Sequence, residues 1–170
     1  MDECCLAAMQ RADPYAWEKP YRELIGNDER QFNAPGVRVP MLQLLRVLPP
    51  SHPDYPYREY HSSLDTPAIV SSRRLQESRD LVLQIIDTLE ANRVPVNRFA
   101  GEVCCSRYGL HIDWWTDPDG HRALFRIMDL IDGTRSIVQI AKACSVRVET
   151  VTRVLDALHA RGLIDYRNHQ

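Results

Sequence analysis

Four prolines, Pro49, Pro50, Pro53 and Pro56, crowd one short stretch of this 170-residue chain. Proline lacks a backbone N–H and holds φ near one value, so this stretch cannot pair as central sheet and is predicted to be a loop. The N-terminus, Met1 to Arg11, is weakly helical, with Cys4, Cys5, Leu6 and Met9 at rough helical spacing, and Pro14 and Pro20 break the chain after it. After Pro20, Tyr21 to Ile25 and the apolar stretch Val37 to Val47 are predicted to be strands. Beyond the loop, Ser71 or Ser72 is placed to cap a helix reaching about Asn92. Leu75, Leu81, Val82, Ile85, Ile86 and Leu89 form its apolar stripe, and Pro95 ends it. Val94 to Tyr108 reads as short strands and turns. Asp117 to Gly120 carries turn chemistry and is taken as a linker between domains.

From His121 the pattern changes to three helices and a strand. Ala123, Leu124, Ile127, Met128, Leu130 and Ile131 mark the first helix. Ser136 caps a second with Ile137, Ile140 and Ala141. Val148, Val151, Leu155 and Leu158 face the core from the third. Gly162 is its C-cap, and Leu163 to Tyr166 can form a wing strand. This order is the signature of a winged helix-turn-helix, whose third helix often enters the DNA major groove. Here that helix exposes Glu149, Thr150, Thr152, Arg153, Asp156 and His159. Two acids on the candidate reading face disfavour nucleic acid, and packing against a partner or a larger body is the preferred role.

The net charge of −2 gives no global attraction to nucleic acid or to an anionic membrane. No apolar run is long enough to span a bilayer, and Asp2 and Glu3 occupy the place of a basic signal region. The five cysteines, Cys4, Cys5, Cys104, Cys105 and Cys144, make two adjacent pairs and one single. That is a poor disulfide framework, and reduced thiols in a cytoplasmic setting are expected. The Cys104-Cys105 pair could hold a soft metal, but buried structural thiols are the simpler reading.

The chemistry-bearing stretch is Arg58 to Thr66, REYHSSLDT, held between Pro56 and Pro67. Core packing does not ask for such a run. A neutral imidazole there can bind a metal, and a neighbouring phenol can donate to an oxyanion. Upstream lies GNDERQF, Gly26 to Phe32, then the Pro35-Gly36 turn, the apolar run from Val37 and Arg46.

In this order the motifs resemble the C-terminal part of the zinc-dependent aminopeptidase-like family, relatives of the bimetallic exopeptidases and of glutamate carboxypeptidase. The family pattern reads SDERQF, PG, a strand, an Arg, then EYHTSxD. The likeness continues through Gly101-Glu102 and Arg107 to Leu110 and ends in a winged-helix tail. It implies an α/β fold: a partial zinc-exopeptidase-type unit over residues 1–116, then a small winged-helix domain over 117–170. It also implies that His61 is the last zinc ligand and that Tyr60 hydrogen-bonds the oxyanion of the tetrahedral intermediate. Asp65 would support the His61 loop. Asn27, Asp28, Glu29, Arg30 and Arg46 would line the substrate side. From the residues alone, Asp28 and Glu29 read first as a solvated turn, and Arg46 reads equally as an ion pair at a strand end. Asn27 replaces the family's small hydroxyl residue.

A catalytic zinc site needs about three protein ligands. The family's others, an HxD motif, paired glutamates that supply the general base and a further aspartate, lie N-terminal to the matching piece. His52-Pro53-Asp54 and His111-Ile112-Asp113 are HxD strings in the wrong order. The chain alone is therefore expected to be inactive. The leading expectation is a small subunit, or C-terminal portion, of a metal-dependent hydrolase acting on a peptide or amide. Its zinc site would be completed by a complementing chain or by homo-oligomerisation. The alternatives are a catalytically inactive interaction protein, a winged-helix DNA regulator, and a fragment of a longer peptidase.

Overall fold

The structure, a computed structural model, describes residues 2–24 and 26–167. Helix α1 (Asp2–Ala12) is followed by a 3-10 turn at Tyr21–Glu23 and by the short α2 (Glu29–Phe32). A second 3-10 turn, Pro67–Ile69, leads into the long α3 (Ser72–Ala91). Then come β1 (Val94–Asn97), α4 (Pro118–Asp129), α5 (Ile137–Cys144), α6 (Val148–His159) and β2 (Ile164–Arg167). It is a mixed α/β chain with one small antiparallel sheet, in which Val94 pairs with Arg167 and Asn97 with Ile164. Among the described residues no helix is long and apolar enough to cross a membrane.

Local chemistry explains the best-placed boundaries. The Ser71 hydroxyl accepts the Arg74 N–H at the start of α3, and Asn92 closes it just before β1. Helix α5 begins in a capping box: Ser136 Oγ takes the Gln139 N–H, and Gln139 Oε1 takes the Ser136 N–H. It ends at Ser145, in the left-handed conformation with φ +56°. Gly162, at φ +67°, turns the chain from α6 toward β2, a backbone that costs glycine no Cβ clash.

The core sits in the C-terminal half. Ile127, Ile137, Ile140, Val151, Leu155, Leu158 and Ile164 are fully buried from α4, α5, α6 and β2. Each such side chain contributes about 1.5–3 kcal/mol by leaving water. Val103, Cys105 and Leu110, which precede α4, share this core. The N-terminal half is stitched to it by α1, which packs on α3 and α5. Cys4 and Ala8 are buried there, Arg11 reaches Glu149 of α6 at 2.8 Å, and Lys142 of α5 reaches Glu3 at 3.5 Å. The end of α3 is pinned too: the Ile137 N–H donates to Arg93 O and the Val138 N–H to Asn92 Oδ1.

Three sequence expectations change. Tyr21 to Ile25 is not a strand: Tyr21–Glu23 is a 3-10 turn started by Pro20, and Ile25 lies outside the described residues. Val37 to Val47 has the composition of a strand but no pairing partner among the described residues, so the N-terminal part holds no sheet there. The chain's only described sheet is instead β1 with β2. Asp117 to Gly120 is a helix start rather than a free turn, because the Asp117 carboxylate accepts the Gly120 N–H and Pro118 opens α4.

Candidate functional site

The loop from Tyr57 to Thr66 is ordered by its own small turns. Tyr60 N–H donates to Tyr57 O at 3.1 Å and Asp65 N–H to Ser62 O at 3.1 Å. The Ser62 hydroxyl caps Glu59 O at 2.7 Å and takes the Leu64 N–H at 3.2 Å. These bonds bring three of the sequence-flagged residues into one place. The rings of Tyr60 and His61 stack at 4.0 Å, nearly parallel, and Tyr57 meets Tyr60 edge-on at 5.3 Å. His61 is held at φ +53°, a left-handed backbone uncommon outside glycine that histidine visits more readily than bulkier residues. The His61 imidazole is exposed, and among the described residues neither it nor the Tyr60 hydroxyl has a hydrogen-bond partner.

Asp65 acts through Tyr57. The Tyr57 hydroxyl donates to Asp65 Oδ2 at 2.9 Å, closing the loop across its base. That hydrogen bond, then desolvation and the carboxylate charge, raise the Tyr57 phenol above its usual range. Sequence reasoning missed Tyr57. Its only signal was its place three residues before Tyr60, which has no meaning until the loop closes on Asp65.

The upstream residues form a separate knot. Helix α2 is one turn long, and the buried Glu29 carboxylate takes the Asn27 N–H on both oxygens, at 2.8 and 2.9 Å. Glu29 therefore shapes its own loop and does not present a carboxylate to a substrate. Arg30 packs its side chain against Gly26, where a Cβ would meet Arg30 Cδ at 2.6 Å and push the exposed arginine aside. Asn27, Asp28 and Arg30 remain exposed. Asn33 ties the knot forward, its amide donating to Glu29 O and to Met41 O, both at 2.9 Å.

Arg46 joins neither group. It reaches across to α3, 3.0 Å from Glu77 Oε2 and 3.4 Å from the Ser78 hydroxyl. Desolvation pushes the Glu77 carboxyl up, but the Arg46 hydrogen bond and the charges of Arg73, Arg74 and Arg46 prevail and hold it below the usual range. The Leu48 N–H donates to Pro56 O at 2.9 Å. The Asn27 knot, Arg46 and the Tyr60-His61 loop are thus strung along one connecting segment, tied at Met41 and at Leu48.

The HxD strings stay apart from this. His52 Nδ1 accepts the Asp54 N–H at 3.1 Å, a local turn. Asp113 receives the Trp115 and Thr116 N–H groups, with Thr116 the larger influence in holding its carboxyl low. Among the described residues, no three His, Cys, Asp or Glu side chains converge as a metal site. A cavity of about 800 Å³ lies on the C-terminal core, lined by Phe99, Glu102, Val103, Phe125, Met128 and Asp129 among others, and none of the flagged residues faces it.

Comparison with known proteins gives this arrangement relatives. The chain is 29% identical over 143 residues to a Clostridium acetobutylicum protein provisionally named as a polysaccharide biosynthesis protein with an aminopeptidase-like domain. The match covers 82% of this chain and 32% of that protein. A crystal structure from the same organism, described provisionally as a peptidase, superposes with a TM-score of 0.70 and 22% identity over 98% of this chain and 36% of its own. The fold is therefore that of a peptidase-like protein, and the chain spans about a third of the length of these relatives. Residues 1–92, more than half of the chain, match the family described as a domain of unknown function, DUF4910, and the chain belongs to that family.

Proposed function

We propose that this chain is the part of a zinc-dependent aminopeptidase-like hydrolase that supplies one metal ligand, His61, and one oxyanion donor, Tyr60, to a site completed by a partner chain. The observation that carries this reading is the stacked Tyr60–His61 pair. Its two polar ends are uncommitted, and a left-handed backbone at His61 holds it in place. Such a backbone costs on the order of 1–3 kcal/mol, and residues held this way cluster at functional sites. The donor set fits zinc as one imidazole of a larger centre, whose remaining ligands and general base the completing part would supply.

When bound, zinc polarises the scissile carbonyl and acidifies a water. The chain's own contributions are distinct. His61 offers a neutral imidazole nitrogen, and Tyr60 offers an O–H to oxygen charge that develops on the substrate. Tyr57 and Asp65 hold the loop that carries both. Asn27, Asp28 and Arg30, on the loop that Glu29 shapes, are assigned to the substrate side of the cleft, and so is Arg46, which is braced separately by Glu77 of α3. The C-terminal unit of three helices and a strand is read as a winged helix used for packing: Glu149 on α6 is already paired with Arg11. The substrate class is a short peptide or amide, and no membrane or nucleic acid is involved.

An inactive interaction protein with the same architecture is the second reading, favoured by the Glu29 carboxylate being spent inside its own loop. The two readings separate on one assay. The isolated chain should release no amino acid from a short peptide, and adding a chain with the missing ligands and zinc should restore release. Hydrolysis by the isolated chain would defeat the shared-site reading. Failure of the zinc-loaded assembly to cleave any short peptide or amide would leave the interaction protein.

A further inference from the structure

We infer that the cavity on the C-terminal core is a binding site for a small organic cation, an amine or guanidine carried on an apolar or aromatic body. The site stands apart from the Tyr60-His61 loop, since none of the residues assigned to the zinc centre lines the cavity.

The cavity holds about 800 Å³, within the range of small-molecule sites. Its lining is graded. Val103, Met128 and Ile131 are buried, Phe99 and Phe125 are half-buried, and Glu102 and Asp129 are exposed. An apolar floor therefore rises through aromatic walls to a charged mouth. Phe125, Met128 and Asp129 stand at i, i+3 and i+4 on α4, so one helix face supplies a residue to each layer. A second wall is the loop from Phe99 to Val103. The Arg98 N–H donates to Leu163 O at 2.8 Å and the Asn97 amide to Phe99 O at 3.3 Å, which ties the start of that loop. Val103 anchors its end in the core. The third wall, at Ile131 and Asp132, is held to β1 by a bridge between Val96 and Asp132. All three walls are in place before any ligand arrives.

Charge selects the occupant. Three carboxylates line the cavity, and among the described residues no Lys, Arg or His does. Asp132 is spent inside its own turn, on the Thr134 N–H and hydroxyl and on Arg135. Glu102 and Asp129 have no hydrogen-bond or ion-pair partner among the described residues. Nearby cations are committed elsewhere, Arg98 to Asp165 and Arg126 to the Ala143 carbonyl. An anionic ligand would be repelled. A neutral apolar body would fill the floor but strip water from two unpaired carboxylates and give nothing back. A metal ion would find no ligands on the floor, and among the described residues no three donor side chains converge. A cation on an apolar body meets every layer. Its head pairs with Glu102 and Asp129, its body displaces water from Met128 and Ile131, and the Phe99 and Phe125 rings add their own attraction for positive charge.

The test is an NMR titration of the full 170-residue chain with phenethylammonium, and with phenethyl alcohol and hydrocinnamate as its neutral and anionic counterparts. The ammonium should saturate with a Kd of about 1 mM or tighter and shift the amides of residues 99–103 and 125–132. The other two should bind at least ~10-fold more weakly. Glu102→Gln and Asp129→Asn should each weaken the ammonium by about 10-fold, as for loss of one charged hydrogen bond. Both positions are exposed, so neither exchange disturbs the core. Asp87→Asn, which removes the same charge from the exposed side of α3, should leave the affinity unchanged. Absence of saturation, equal binding of the three probes, shifts centred elsewhere, or an equal loss in Asp87→Asn would overturn the proposal. A lysine side chain carries the same head group, so acetyl-Gly-Lys-Gly amide is titrated as well. Binding of that peptide at least ~10-fold tighter than phenethylammonium would make the cavity a peptide dock and overturn the small-molecule assignment.

Discussion

Cys104 and Cys105 are neighbours in sequence and opposites in setting. Cys104 is exposed, its Sγ 3.5 Å from the Ser106 hydroxyl. That hydrogen bond first, then the Arg107 backbone and charge, lower its thiol below the usual range. Cys105 is buried, and desolvation raises it, as burial also raises Cys4 and Cys144. The thiolate is the reactive form. A thiol reagent at neutral pH should therefore label Cys104 well before Cys4, Cys105 and Cys144, and Ser106→Ala should slow that labelling. Peptide mapping after brief alkylation checks it. All five cysteines are unbridged in the structure. The sequence did not say which member of the doublet turns outward, because that depends on Val103, Cys105 and Leu110 finding one core. The same limit applies to Glu29, which looked like a cleft carboxylate until the fold buried it against Asn27.

At the scale of elements, helices were the legible part. Helix α3 was bounded correctly because Ser71, Asn92 and Pro95 each carry local instructions. The two paired strands were legible as segments, Leu163 to Tyr166 and the short strands from Val94, but their pairing was not, since the neighbour of Val94–Asn97 lies at the far end of the chain. That late pairing can be tested through Tyr166 of β2. Arg93 lies 3.7 Å over its ring, and its hydroxyl reaches Asp156 at 3.4 Å. Burial, with Asp156 adding to it against the Arg93 charge, pushes the phenol up to about 12. A phenol raised in the folded state favours folding fully below its unfolded pKa of about 10 and loses that contribution as pH climbs toward the folded value. Spectrophotometric titration should thus show a late-ionising tyrosine that disappears in Tyr166→Phe, and the wild-type chain should lose more stability than the variant between about pH 10 and 12.

Across the whole molecule, buried apolar surface lies mostly in the C-terminal half, while the candidate site lies in the exposed N-terminal half. Leu155→Ala, at a fully buried position, should cost about 2–5 kcal/mol and melt α4, α5, α6 and the sheet together. Tyr60→Phe and His61→Ala, in an exposed loop, should leave that melting unchanged. Calorimetry of the three variants checks both statements. The motif order from Asn27 to Asp65 was readable in the sequence, and so was its resemblance to an aminopeptidase-like region. The way Met41 and Leu48 string those motifs along one unpaired segment needed the fold.

The central claim is that His61 is a zinc ligand in a site shared with another chain, and the most direct measurement is zinc bound by the completed assembly after dialysis. Wild-type assembly should retain zinc. His61→Ala should lose it. Tyr60→Phe should retain it while kcat falls on the order of 10²-fold, as for loss of one oxyanion donor. An assembly that keeps its zinc and full activity with His61→Ala would contradict the account.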